Sequence, residues 1–247
     1  MPTGYCYYRK GDFPVPDINE LQKILGVSFN RPALLEQSLV HSSFINENPA
    51  SSLGHNERLE FLGDAVLDFI VADKLYQDFP VLSEGEMTRL RAALVRRDTL
   101  AYVARVIKLG DFLYMGKGEE SSGGRNKTLN LAGALEAVIA AVYLDLGITA
   151  AEDMVIRLLT EEWKKLASPG SGIDYKSKLQ ELAQSKYQAT PVYCLVSETG
   201  PDHNKMFTVE VMVNKKILGR GTGKSKILAE TEAARLALER IAGDFTE

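Results

Sequence analysis

Apolar residues recur with helical spacing through most of the chain and with a period of two near its end. Leu59, Leu62, Val66, Phe69 and Ile70 share one helical stripe that stops near Pro80. A second helix is predicted from about Glu86 to Ile107, ending near Gly110. A third runs from about Leu129 to Leu146 and ends at Gly147. Ser83 to Glu86 and Thr149 to Glu152 have the spacing of a capping box, in which hydroxyl and carboxylate each satisfy an orphan backbone N–H. Asn30, just before Arg31-Pro32, marks a further helix start.

The pattern changes after Ser168-Pro169-Gly170-Ser171-Gly172. Asp174 is placed to cap a helix through Tyr187. Phe207, Val209, Val211 and Val213 then alternate with Thr208, Glu210, Met212 and Asn214, which predicts a strand with one buried face. Tyr193–Ser197 is its expected partner, Ile217-Leu218 begins a third strand, and Leu228–Ile241 forms an Ala-rich closing helix. The expected organisation is a leader (1–17), an all-α domain (18–167), a linker (168–173) and a small α+β domain of order α-β-β-β-α (174–242).

Composition narrows the classes. With 247 residues, 45% hydrophobic and 25% charged, the chain is neither fibrous nor mainly disordered. Cys6 and Cys194 supply neither a disulfide framework nor a zinc site, so a reducing, cytoplasmic setting is expected. The most apolar stretch, Leu131–Leu146, carries Glu136 and Asp145 and reads as short of a membrane span. The beginning lacks the charged start and apolar run of an export signal. A net charge of −4 argues at first against a nucleic-acid partner. Its distribution says otherwise: residues 172–247 hold 11 Lys+Arg and 10 Asp+Glu, leaving 18 and 23 for residues 1–171. The acidity belongs to the helical part.

Much of that acidity is patterned. In His55-Asn56-Glu57-Arg58-Leu59-Glu60-Phe61-Leu62-Gly63-Asp64, three carboxylates are spaced by three and four residues, on one helix face. Like charges so placed repel. A hard divalent cation would turn that repulsion into a binding site; a solvated acidic face has the same spacing. The full string resembles the signature stretch of the ribonuclease III family, as do Thr88-Arg89-Leu90-Arg91-Ala92 and Leu135-Glu136-Ala137-Val138-Ile139.

That resemblance covers about residues 18–242 and implies Mg²⁺-dependent cleavage of double-stranded RNA, with Mn²⁺ able to substitute. Glu60 and Asp64 match metal ligands of the signature helix, and Glu136 matches the ligand from the later helix. Glu57 matches an acid near the dimer interface and the cleft, and Glu84 a further cleft acid. Asp64, Glu136, Glu57 and Glu84 thus form the expected catalytic set. One position departs from the family pattern: Gly133 stands where an Asp is expected, three residues before Glu136. Asn130, one turn earlier, is a candidate replacement ligand; as a residue flanking the helix start it has a structural reading too.

Gly219-Arg220-Gly221-Thr222-Gly223-Lys224-Ser225 superficially suggests a nucleotide-phosphate loop. Such a loop needs a Gly at position 218, which is Leu218, so no nucleotide cofactor is expected. Lys224-Ser225-Lys226 instead precedes a helix, whose N-terminus favours phosphate. In this order of elements the region resembles a double-stranded-RNA-binding domain. The resemblance assigns Gln180 and Glu181 to one minor groove, His203 to the other, and Lys224 and Lys226 to phosphates. Ile227 stands where the family usually has another basic residue.

The resemblance therefore implies a homodimeric endoribonuclease that acts on ribosomal and messenger RNA precursors, without a membrane partner. Products would carry 5′-phosphate and 3′-hydroxyl ends with short 3′ overhangs. The alternative is an RNA-binding protein that kept the fold after losing a metal ligand at Gly133.

Overall fold

The computed structural model describes residues 16–49, 51–80, 82–167, 174–201 and 205–243. The expected linker, most of the leader and His203 lie outside these residues. The chain divides into two compact units, 1–73 with 90–162, and 74–89 with 163–247.

The first unit is helical. It opens with α1 (Ile18–Leu25), α2 (Pro32–Ser38) and α3 (Ser42–Glu47), followed by α4 (Glu57–Asp78), which continues into the second unit's share of the chain. Asp17 caps α1 by accepting from the Asn19 and Glu20 N–H groups. Helix α2 starts with Pro32 at its first turn, as expected, but Asn30 does not cap it. No side chain caps it; the Asp145 carboxylate instead holds the two residues before it, accepting from the N–H groups of Asn30 (2.6 Å) and Arg31 (3.2 Å) and from Arg31 Nε (2.9 Å).

The predicted helix from Glu86 to Ile107 is two helices, α5 (Glu84–Val95) and α6 (Arg97–Val106). Arg96 between them is extended, with ψ 146°. The Thr99 hydroxyl donates back to the Ala93 carbonyl (2.9 Å) and accepts from Arg96 Nε (3.2 Å), which fixes the break. The Ser83–Glu86 capping box forms as expected: Ser83 N–H donates to Glu86 Oε2 (2.9 Å) and Glu86 N–H to Ser83 Oγ (3.4 Å).

After a 3₁₀ turn (Leu109–Phe112), α7 (Lys117–Ser121) and a second 3₁₀ turn (Gly124–Asn126), the chain enters α8 (Thr128–Leu146). This is the core helix, buried at Leu131, Ala132, Ala134, Leu135 and throughout 137–142. It packs against α2, α6 and the following α9 (Ile148–Leu158). The helix is longer than its most apolar stretch suggested. Its 19 residues would suffice to cross a membrane by length and composition, yet 61% of that window is buried within the fold. A helix apolar on every side is what an interior position demands. The expected Thr149–Glu152 box is absent. Gly147, at φ +86°, is the N-cap of α9, two residues before the expected Thr149, which leaves Thr149 inside the helix.

Helix α10 (Thr160–Ala167) runs from the first unit's share of the chain into the second's, where it carries Trp163, whose ring stacks at an angle on Phe79 and whose Nε1 donates to Asp78 (3.1 Å). Helix α11 (Tyr175–Tyr187) is capped by Asp174, as predicted. Three antiparallel strands follow in the order β1 (Val192–Thr199), β2 (Met206–Val213), β3 (Lys216–Gly223), then α12 (Lys226–Gly243). The expected α-β-β-β-α arrangement is thus present. Asn214 and Lys215, both with positive φ, close the β2–β3 hairpin in two residues.

The glycines that imitated a phosphate loop have a packing role. Gly219 and Gly221 pair with Val211 and Val209, beneath α12. A Cβ at Gly219 would meet the Ala233 carbonyl and stand 2.7 Å from the Ala237 nitrogen; one at Gly223 would stand 2.7 Å from the Ala229 nitrogen. Small residues on the facing helix (Ala229, Ala233 and Ala237, all fully buried) complete this close approach.

Candidate functional site

The crossing of α4 and α8 brings the signature carboxylates together. Leu59 of α4 is buried against Ala137 and Ala140 of α8, with Leu62 beside them. Gly63 makes the crossing tight, because a Cβ there would run into the backbone carbonyl of Glu136. One turn earlier on both helices, Gly133 faces the carboxyl group of Glu60. At this crossing, Glu60 and Glu136 are half-buried and Asp64 is exposed.

Their electrostatics show the coupling. The Glu136 carboxyl is pushed up to about 7, first by burial, then by Asp64 and Glu60, against the opposing pull of Arg97. Glu60 is raised as well, by burial first and then by Glu57, with Arg97 again opposing. Two groups that the sequence reading passed over therefore belong to this neighbourhood. Asp68 also acts on Glu136 and extends the 57, 60, 64 spacing by one more turn, a signal already present in the sequence. Arg97 is the first residue of α6, a start that the helical spacing through 86–107 does not reveal.

Among the described residues, no group of three or more His, Cys, Asp or Glu side chains converges closely enough to hold a metal ion. The carboxylates of Glu60, Asp64 and Glu136 are thus not gathered into a ready-made cage. The amide nitrogen of Asn130 is used structurally. It donates to Glu119 Oε1 (2.8 Å) and to the Gly124 carbonyl (3.0 Å), tying down the turn before α8. The donor chemistry still suits a hard divalent cation: three carboxylates from two touching helices, with no softer ligand among them.

Glu57 sits in the first turn of α4, 60% exposed, with His55 Nδ1 3.6 Å from its carboxylate. Glu84 opens α5 within the second unit and accepts from the Thr88 hydroxyl (3.2 Å).

On α11, Gln180 and Glu181 are exposed and line a shallow, open groove with Ser177, Gln184 and Ser185. Lys224 and Lys226 are exposed at the start of α12, where Ser225 Oγ caps the helix by accepting from Leu228 N–H (3.2 Å). Lys226 Nζ lies 6.0 Å over the Phe207 ring. Ile227, beside it, is 72% exposed.

Comparison with known proteins agrees with this division. Residues 31–162 match the ribonuclease-III-like family, and residues 175–241 match the double-stranded RNA binding motif. A protein of Dehalococcoides mccartyi named Ribonuclease 3 is 52% identical over 230 residues, 93% of this chain and 97% of its own length. One of the same name from Pseudothermotoga lettingae is 44% identical, covering 92% and 96%. Among solved structures, the nuclease domain of ribonuclease III from Campylobacter jejuni, described for a flexible region involved in dimer formation, is 39% identical. It covers 60% of this chain and 99% of its own, with a TM-score of 0.56.

Proposed function

The chain belongs to the ribonuclease III family, and we propose that it is a cytoplasmic endoribonuclease that cuts double-stranded RNA with Mg²⁺ as cofactor, or Mn²⁺ in its place. Its products carry 5′-phosphate and 3′-hydroxyl ends with short 3′ overhangs, in the processing of ribosomal and other RNA precursors. The observation that carries this reading is the close crossing of α4 and α8, which sets Gly63 against the backbone of Glu136 and the Glu60 carboxyl against Gly133.

Those three carboxylates would hold the cation, with Glu57 and Glu84 as further acids of the cleft. When bound, the ion supplies positive charge for the scissile phosphate and makes a water nucleophilic at neutral pH. Glu136 holds a proton on its carboxyl near neutrality and must give it up to become a ligand. Arg97 adds positive charge beside the carboxylates, where an RNA phosphate has to approach an acidic surface.

Gln180 and Glu181 face a minor groove, where 2′-hydroxyls offer both donors and acceptors. Lys224 and Lys226 take phosphates at the start of α12, and His203 contributes at a second groove. The chain acts as a homodimer, so that two sites cut two strands. Phe61 and Phe69, 81% and 59% exposed, share one face of α4 with the exposed Ala65. That apolar strip is the kind of surface a second copy covers.

Incubating the protein with duplex RNA, with and without Mg²⁺, tests the reading: staggered ends are expected only with the ion. Binding without cleavage at any Mg²⁺ or Mn²⁺ concentration favours the second reading, a catalytically impaired double-stranded-RNA-binding protein. Gly133 is the observation on that side, because it leaves one carboxylate fewer than the family pattern has.

A further inference from the structure

The chain on either side of the expected linker (168–173) is fastened to one corner of the fold. Before it, Trp163 of α10 stacks on Phe79 and donates to Asp78 (3.1 Å). After it, Lys178 of α11 donates to Glu86 Oε2 (2.6 Å). All of these residues belong to the second unit, which takes in the end of α4 and the start of α5. Yet Glu86 lies within the ribonuclease-III-like match and Lys178 within the double-stranded RNA binding motif. The pair therefore ties one family region to the other.

It is more than a loose surface contact. The Lys178 and Glu86 side chains are 19% and 18% exposed, and a charged pair at this distance makes a strong hydrogen bond. The same Glu86 oxygen closes the capping box, accepting from the N–H and the hydroxyl of Ser83. Burial works against the Glu86 charge, but the bonds from Lys178 and Ser83 prevail and hold its carboxyl at about 2. Glu84, the expected cleft acid, stands two residues earlier in the same helical turn. Gln180 and Glu181 stay exposed beside Lys178, so the docked motif keeps its minor-groove residues open to RNA.

We propose that Lys178 is a positioning residue: through Glu86 it docks the RNA-binding motif on the start of α5, and so holds the minor-groove residues of α11 and the cleft acid Glu84 in one frame. The inference rests on the proposed function. With Trp163 anchored at the same corner, docking closes only a short loop, at a modest cost in chain entropy. Breaking the pair releases the motif from α5 but leaves in place every residue assigned to RNA.

Two measurements on the full-length protein test this. The first is zero-length carbodiimide cross-linking read by mass spectrometry. It should join Lys178 to Glu86 as readily as it joins Lys176 to Glu230, a pair within the motif at the same 2.6 Å. The second compares duplex affinity without Mg²⁺ and single-turnover cleavage of saturating duplex with it. The variants are Lys178→Met, Lys178→Arg, Glu86→Gln, which can still close the Ser83 box, and the double Lys178→Met, Glu86→Gln. Each neutral single variant should cut about threefold or more slowly with affinity within about twofold of wild type, and the double variant should be no slower than the worse single one. Lys178→Arg should cut at the wild-type rate. A missing Lys178–Glu86 cross-link beside a formed control overturns the docking. Wild-type cleavage by Lys178→Met, losses that multiply in the double variant, or a loss confined to affinity overturns the positioning role. A wild-type protein that cuts no duplex overturns the proposed function itself, and this inference with it.

Discussion

Gly63 of α4 and the backbone carbonyl of Glu136 on α8 leave no room between them for a methyl group. The same contact that packs the core also sets the candidate-site carboxylates of the two helices beside one another. Gly63→Ala forces one helix backbone off the other, since neither side of the clash is a flexible side chain. We expect a loss of about 3 kcal/mol, as for severe overpacking, with Mn²⁺ binding lost in parallel. Urea unfolding measures it; a wild-type midpoint would show that the helices are not in backbone contact.

Burial and its acidic neighbours raise the Glu136 carboxyl from 4.5 to about 7. The folded protein then keeps a proton that the unfolded chain has already lost. Stability of the metal-free protein should fall as pH rises from about 4.5 to about 7, with the full penalty present above that window. Glu136→Gln removes the penalty. In EDTA it should melt higher than wild type at pH 8, by the equivalent of about 1–3 kcal/mol, and the gap should shrink at pH 5. A gap that does not change with pH would mean that Glu136 is not perturbed in the folded state.

The amide hydrogens of Asn130, a candidate ligand through its amide oxygen, hold Glu119 and the Gly124 carbonyl. Asn130→Ala should therefore cost about 1–2 kcal/mol of stability through two lost hydrogen bonds. Mn²⁺ affinity should stay within about twofold of wild type, since a lost ligand would cost far more. A large drop in Mn²⁺ affinity without destabilisation would restore the ligand role.

Lys224 and Lys226 stand exposed at the start of α12. If each neutralises a phosphate, the Lys224→Ala, Lys226→Ala double variant should weaken duplex binding similarly for all sequences. It should also reduce the slope of log affinity against log salt by about 2. Titration at several salt concentrations checks this; an unchanged slope would move the phosphate contacts elsewhere.

Local signals in the sequence carried much of the fold. The Ser83–Glu86 box, the alternation through Val209, Val211 and Val213, and Gly147 closing α8 each act within a few residues, where propensity and period apply. Side-chain bonds, local or from far along the chain, account for the failures. Asp145, and no cap from Asn30, holds the chain entering α2, and nothing near Asn30 announces it. The Thr99 hydroxyl broke a helix that its apolar spacing would have continued through Arg96. The Gly219, Gly221, Gly223 spacing has a reason only once α12 lies across β3. At the candidate site, Glu57, Glu60 and Asp64 were legible as a helix face. Glu136 came from resemblance alone, because its partners sit on another helix. Asp68 was one turn further along a spacing already noticed, and Arg97 needed the true start of α6.

Asp64 offers the most direct test of the central claim, that the carboxylates of α4 and α8 cut RNA while α11 and α12 hold it. Cleavage and binding of one labelled duplex should be measured side by side for wild type and Asp64→Asn. Wild type should cut with staggered ends in Mg²⁺, and Asp64→Asn should bind with unchanged affinity and leave the duplex intact. Cleavage at the wild-type rate by Asp64→Asn, or an intact duplex with both proteins, would contradict the account.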